Sequence, residues 1–110
     1  MEGEMHIESI DHLVLTVTDV QRTIHFYTSV LGMQVTTFAS GRYALSFGAQ
    51  KINLHPLENS ITPKAQRPTP GSADLCFLTD LPIAEVERHL QKQSVIIENR
   101  VSSLRTECHH

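Results

Sequence analysis

Between Ile10 and Pro56 the hydrophobic period switches from two to helical and back, and the order of those switches leaves few folds open. IDHLVLTVTD, residues 10–19, alternates as a strand does. Leu13, Leu15 and Val17 share one face, and His12, Val14 and Thr16 share the other. DVQRTIHFYTSVLG then has the punctuation of a helix. Asp19 suits the N-cap, Gly32 suits the stop, and Val20, Ile24, Tyr27 and Leu31 recur at helical spacing. MQVTTFA, RYALSFG and QKINLHPL read as three further strands, parted by turns at Ser40-Gly41 and after Gly48, the last ended by Pro56. Residues 8–57 therefore form a β-α-β-β-β module. Its first strand has one apolar face for the core, and an imidazole on the other face that the core does not explain.

Residues 58–72 carry three prolines and a glycine without periodicity, and are expected to be a connector. Residues 73–98 then echo the opening. ADLCFLTD reads as a strand and LPIAEVERHLQKQ as a helix, with Pro82 in its first turn and Ile83, Val86 and Leu90 on one face. SVIIENR reads as another strand. Sliding the chain on itself lays Asp74 on His12, Leu75 on Leu13, Phe77 on Leu15 and Ser94 on Gly32. Such a self-match is the mark of a duplicated unit. Residues 99–110 lack the alternation that followed the first helix, so they are expected to be an unstructured tail and the second module to be cut short. The expected fold is α+β: one domain of paired β-α-β-β-β modules, the second incomplete.

Composition narrows the function by exclusion. The net charge is −3, and no Lys/Arg cluster marks a nucleic-acid or membrane footprint. No apolar stretch approaches the roughly 20 residues that span a bilayer. The acidic start, MEGEMHIE, lacks the pattern of a secretory leader. Two cysteines, Cys76 and Cys108, fit no disulfide framework or zinc-finger spacing. The default expectation is the cytoplasm or another reducing intracellular compartment.

IDHLVLTVTDVQRTIHFYTSVLGMQV, RYALSFGAQKINLHP and PGSADLCFLTD, covering roughly residues 8–80 of the repeat, resemble the vicinal-oxygen-chelate superfamily. Glyoxalase I, extradiol dioxygenases and bleomycin-resistance proteins belong to it. The resemblance implies sheets curled into a cup around a divalent metal such as Ni, Zn, Mn or Fe. It places ligands at His12 and Asp74 on the first strands, and at Asn53 or His55 on the fourth strand of the first module. Strand alternation agrees on facing, since Ile52 and Leu54 share the core side and leave Asn53 and His55 on the side of His12.

Two departures stand out. Members usually have His, Gln or Glu where this chain has Asp74. The strand that usually supplies a glutamate, both ligand and base, has no counterpart, and Glu98 and Glu107 lie in no matching motif, so the catalytic residue is unassigned.

Each candidate also has a plainer explanation. His12 could be satisfied by backbone or water, and Asp74 could be a strand-end carboxylate in water. Asn53 could bond a substrate, His55 could sit on the rim before Pro56, and Cys76 could be a small core residue. Two functions follow: a metal-dependent lyase, isomerase or dioxygenase acting on a small oxygenated substrate, or a non-catalytic small-ligand module of the bleomycin-resistance type. An inactive shortened product is a third outcome. Two copies could pair to complete the cup, giving a homodimer.

Overall fold

The computed structural model describes residues 3–39, 41–58 and 63–98. The chain divides into two compact units, Met1–Ala73 and Asp74–His110.

In the first unit, β1 (His12–Val17) leads into α1 (Val20–His25), followed by β2 (Gln34–Phe38), β3 (Arg42–Phe47) and β4 (Gln50–Pro56). This is the β-α-β-β-β order. The strands form one sheet in the order β1-β4-β3-β2. β4 pairs antiparallel with β3, and β3 with β2, so residues 34–56 are a meander of neighbours. β1 and β4 run parallel, which an intervening crossover helix makes possible. The Leu57 N–H extends that ladder by donating to the Val17 carbonyl at 2.9 Å.

Asp19 starts the helix by accepting the Arg22 backbone N–H at 3.0 Å on its carboxylate. Beyond His25 the helix widens into a π-helical stretch, Phe26–Val30. There the Leu31 N–H reaches back to the Phe26 carbonyl at 3.3 Å, and the Thr28 hydroxyl donates to the Ile24 carbonyl at 2.7 Å. Gly32, at φ +74°, turns the chain out of the helix.

One face of the sheet packs on this helix. Leu45 and Ile52 are 0% exposed and Leu54 is 2% exposed; with Met33 they form the core. Leu13, Leu15, Val20, Ile24, Tyr27, Tyr43 and Phe47 close around them. Burying one such aliphatic side chain is worth about 1.5–3 kcal/mol. Of the apolar set predicted for β1 and β4, Ile52 and Leu54 lie in this core and Leu13 and Leu15 pack against it.

In the second unit α2 (Ile83–Lys92) forms where helical spacing predicts it. The expected strand over 73–80 does not form among the described residues. A strand exists through its ladder, and the one sheet among the described residues does not include residues 74–79. Cys76 is exposed there rather than part of a core. SVIIENR begins not as a strand but as the end of α2. Ser94 takes the left-handed φ of +60° while the Val95 N–H closes on the Leu90 carbonyl at 2.9 Å. The repeat had laid Ser94 on Gly32, and both are left-handed residues that end a helix. The expected tail, 99–110, lies outside the described residues.

Candidate functional site

The sheet register determines which side chains stand together on the face turned away from the helix. His12 lies opposite Lys51, Val14 opposite Asn53, and Thr16 opposite His55. On the other side of β4, Lys51 lies opposite Ser46 and Asn53 opposite Ala44. One step further along that register brings Arg42 beside His55, and Arg42 pairs in turn with Phe38. Three rows therefore cross the face: His12, Lys51 and Ser46; Val14, Asn53 and Ala44; Thr16, His55 and Arg42. Sequence reasoning brought His12, Val14, Thr16, Asn53 and His55 to this face and missed Lys51 and the β3 residues Arg42, Ala44 and Ser46. The β3 members were findable by applying the same alternation to RYALSFG once its hairpin with β4 was recognised.

The central row is where the site is chemically unfinished. Ala44 is 2% exposed and Val14 is apolar, so Asn53 stands between small and apolar neighbours. Its Oδ1 is buried and has no hydrogen-bond partner among the described residues. Leaving a buried acceptor unmade costs about 1–3 kcal/mol, and such atoms are rare in native proteins.

His55, in the next row, is 9% exposed and not on the rim, contrary to the sequence expectation. Pro56 does not end the strand before it. β4 includes Pro56, which sits across from Val17. Burial holds the His55 imidazole below its ordinary range, and the positive charges of Arg42 and Lys64 push the same way. At neutral pH this ring is therefore uncharged.

His12, at the start of β1, is more open. The backbone bends at Asp11, before the ladder begins, so strand alternation does not separate the two side chains. The Asp11 carboxylate curls back to 2.8 Å from the His12 Nδ1. That hydrogen bond holds the Asp11 carboxyl below the usual carboxylate range, helped by the charges of His12 and Lys51.

A divalent metal at this face can be tested against the donors present. Among the described residues no three His, Cys, Asp or Glu side chains gather closely enough to hold an ion. His12 and His55 stand on the same face, four ladder positions apart, about 13 Å along the strands. A zinc ion needs its nitrogens at about 2.0–2.1 Å, so two such rings standing parallel do not share one. Asn53 lies between them, diagonal to His12, and contributes a neutral oxygen. Asp74 belongs to the other compact unit and is exposed. The described residues of the first unit alone thus offer fewer donors than a metal centre requires.

Comparison with known proteins agrees with this architecture. Residues 9–99 match the family model of the glyoxalase/bleomycin resistance protein/dioxygenase superfamily. Virulence protein STM3117 of Salmonella typhimurium is 55% identical over 94 residues, which cover 86% of this chain and 65% of that protein. Glyoxalase domain-containing protein RDO1 of Mycosarcoma maydis is 48% identical over 101 residues, covering 91% of this chain and 57% of its own length. The chain thus spans less than two thirds of each of these relatives.

The crystal structure of STM3117 superposes with a TM-score of 0.85 over 87% of this chain and 76% of that one. At the level of fold alone, lactoylglutathione lyase from Agrobacterium tumefaciens is similar, with 18% identity and a TM-score of 0.68 over 84% of this chain and 75% of its own. So is TnmS3, an antibiotic-binding protein from a Streptomyces species, with 17% identity and a TM-score of 0.71 over 91% and 82%. With the family model matched over residues 9–99, the chain belongs to the glyoxalase/bleomycin resistance protein/dioxygenase superfamily.

Proposed function

We propose that the face carrying His12, Asn53 and His55 binds a small oxygenated organic molecule, and that binding rather than turnover is what the described residues support best. The observation that carries this is the buried Oδ1 of Asn53, which lies on the strand between Val14 and Ala44 and has no partner among the described residues. A ligand N–H or O–H completes it, while the apolar neighbours pack against the ligand's carbon frame. The neutral, buried ring of His55 in the adjacent row adds a polar contact without placing a charge beside that frame. The fold is shared with TnmS3, an antibiotic-binding protein, and this supports the same direction for this chain. Pairing of two copies to complete the cup belongs to the same proposal. So does the finer kinship of KINLHP and PGSADLCF with glyoxalase domain-containing protein 5.

The test is thermal unfolding against a library of small oxygenated molecules, run in parallel on the native chain and Asn53→Leu. A ligand at a hundredfold excess over its Kd stabilises by about 2.7 kcal/mol, a shift of several degrees. Compounds that shift the native chain but not the variant support the proposal. Compounds that shift both equally, or bind with Asn53 signals unmoved, refute it.

A second reading is favoured by one contact, the carboxylate on the His12 Nδ1, the arrangement that metal-bound histidines commonly show. On that reading His12 and Asn53 contribute ligands to Ni, Zn, Mn or Fe for lyase, isomerase or dioxygenase chemistry, with His55 and Asp74 outside that ligand set. It predicts that these ions raise the unfolding temperature of the native chain but not of His12→Ala.

A further inference from the structure

The Asp11–His12 pair determines what kind of atom the His12 end of the face can receive. A neutral imidazole has one N–H and one lone pair, and the partner of one nitrogen decides the role of the other. Here Nδ1 lies 2.8 Å from the Asp11 Oδ2. An aspartate is ionised at neutral pH, and an ionised carboxylate only accepts. The proton of the neutral ring therefore resides on Nδ1, and Nε2 carries the lone pair.

We infer that Asp11 is a positioning residue, which holds His12 as the Nδ1–H tautomer so that its Nε2 is an acceptor on the ligand face. Diagonal to it, one row away, Asn53 also presents an unmet acceptor, Oδ1. Two acceptors side by side select a ligand that brings donors: an amide, amine or hydroxyl pair rather than a pair of carbonyls. Building on the binding proposal, this specifies the ligand's polar chemistry as donor-rich.

The test needs no ligand. In the full chain labelled with ¹⁵N, long-range ¹H–¹⁵N correlation reads which ring nitrogen bears the proton, at about pH 8 where neutral imidazole predominates. The His12 signals are assigned by their loss in His12→Gln. The expected result is a protonated Nδ1 for His12 in the native chain. In Asp11→Ala the proton moves to Nε2, while the His25 and His55 signals stay in place. Asp11→Asn, which can still accept through its amide oxygen, keeps the native tautomer in part. A native His12 already protonated at Nε2, or one unmoved in Asp11→Ala, overturns the inference. Either result leaves the library test on Asn53→Leu intact, so the two proposals fail separately.

Discussion

Replacing Asn53 by leucine should make this protein more stable, the opposite of what truncating or altering a half-buried residue usually does. Asn53 sits mid-strand in β4, laddered to Val14 on one side and Ala44 on the other. Its Oδ1 is buried without a partner among the described residues. Removing that atom recovers an estimated 1–3 kcal/mol of desolvation left uncompensated in the folded state. Leucine nearly matches asparagine in length and branching, so the backbone ladder has no reason to shift. For a domain of 60–100 residues each kcal/mol is worth roughly 4–8 °C in Tm, so the rise is large enough to measure without ambiguity.

The chain contains no tryptophan, so urea unfolding is followed by far-UV circular dichroism with tyrosine fluorescence as a second probe. Coincidence of the two probes licenses the free-energy difference. Asn53→Asp is the matched control. It places a charge where a neutral acceptor already lacks a donor, and its stability falls at neutral pH. A leucine variant equal to or weaker than the native chain would refute the reasoning, because it would show that Oδ1 is satisfied in solution.

Three further outcomes follow from the same structure. The His55 imidazole is held below its ordinary value of 6.5, so the folded state resists its protonation, and the stability this confers is present above 6.5 and lost as pH falls below it. Between about pH 7.5 and pH 5 the native chain should lose more stability in urea titrations than His55→Gln does. Leu54→Ala, which opens the core at a 2% exposed position, should cost about 2–5 kcal/mol in the same assay. Ser94→Gly should stabilise by about 1 kcal/mol, because Ser94 ends α2 at φ +60°, where a side chain is strained and glycine is not; no gain in Tm would count against that geometry.

The first module was legible because its signals are local and agree with one another. β1 alternates, Asp19 caps, Gly32 stops, and each turn carries its glycine, so period and punctuation select one order of elements. Facing was legible for the same reason, since Ile52 and Leu54 in the core leave Asn53 and His55 on the other side. What could not be read depends on partners distant in sequence. ADLCFLT has the residues of a strand, yet the sheet among the described residues does not take it up, and a strand is defined by its neighbour. Ser94 looks like the start of SVIIENR, and only the bond from Val95 to Leu90 shows it to be a helix terminus. His55 before a proline suggests a rim, but its burial follows from the neighbouring strands and chain around it, not from Pro56. The orphaned Oδ1 of Asn53 was out of reach altogether, because satisfaction of an acceptor is a property of surroundings and not of a residue type.

The parallel pairing of β1 with β4 also orders events in time. β2 pairs with β3 and β3 with β4, so these ladders close short loops. His12 meets Lys51 only after a loop of about 40 residues closes, an entropic cost settled late in folding. The meander should form first and β1 should dock onto it afterwards. Mutations in β1 should then chiefly accelerate unfolding, while mutations at the β3–β4 turn slow folding. His12 arrives on that last strand and Asn53 waits on the meander. A ligand touching both would fasten the seam that closes last and opens first, so occupancy should register as a slower unfolding rate.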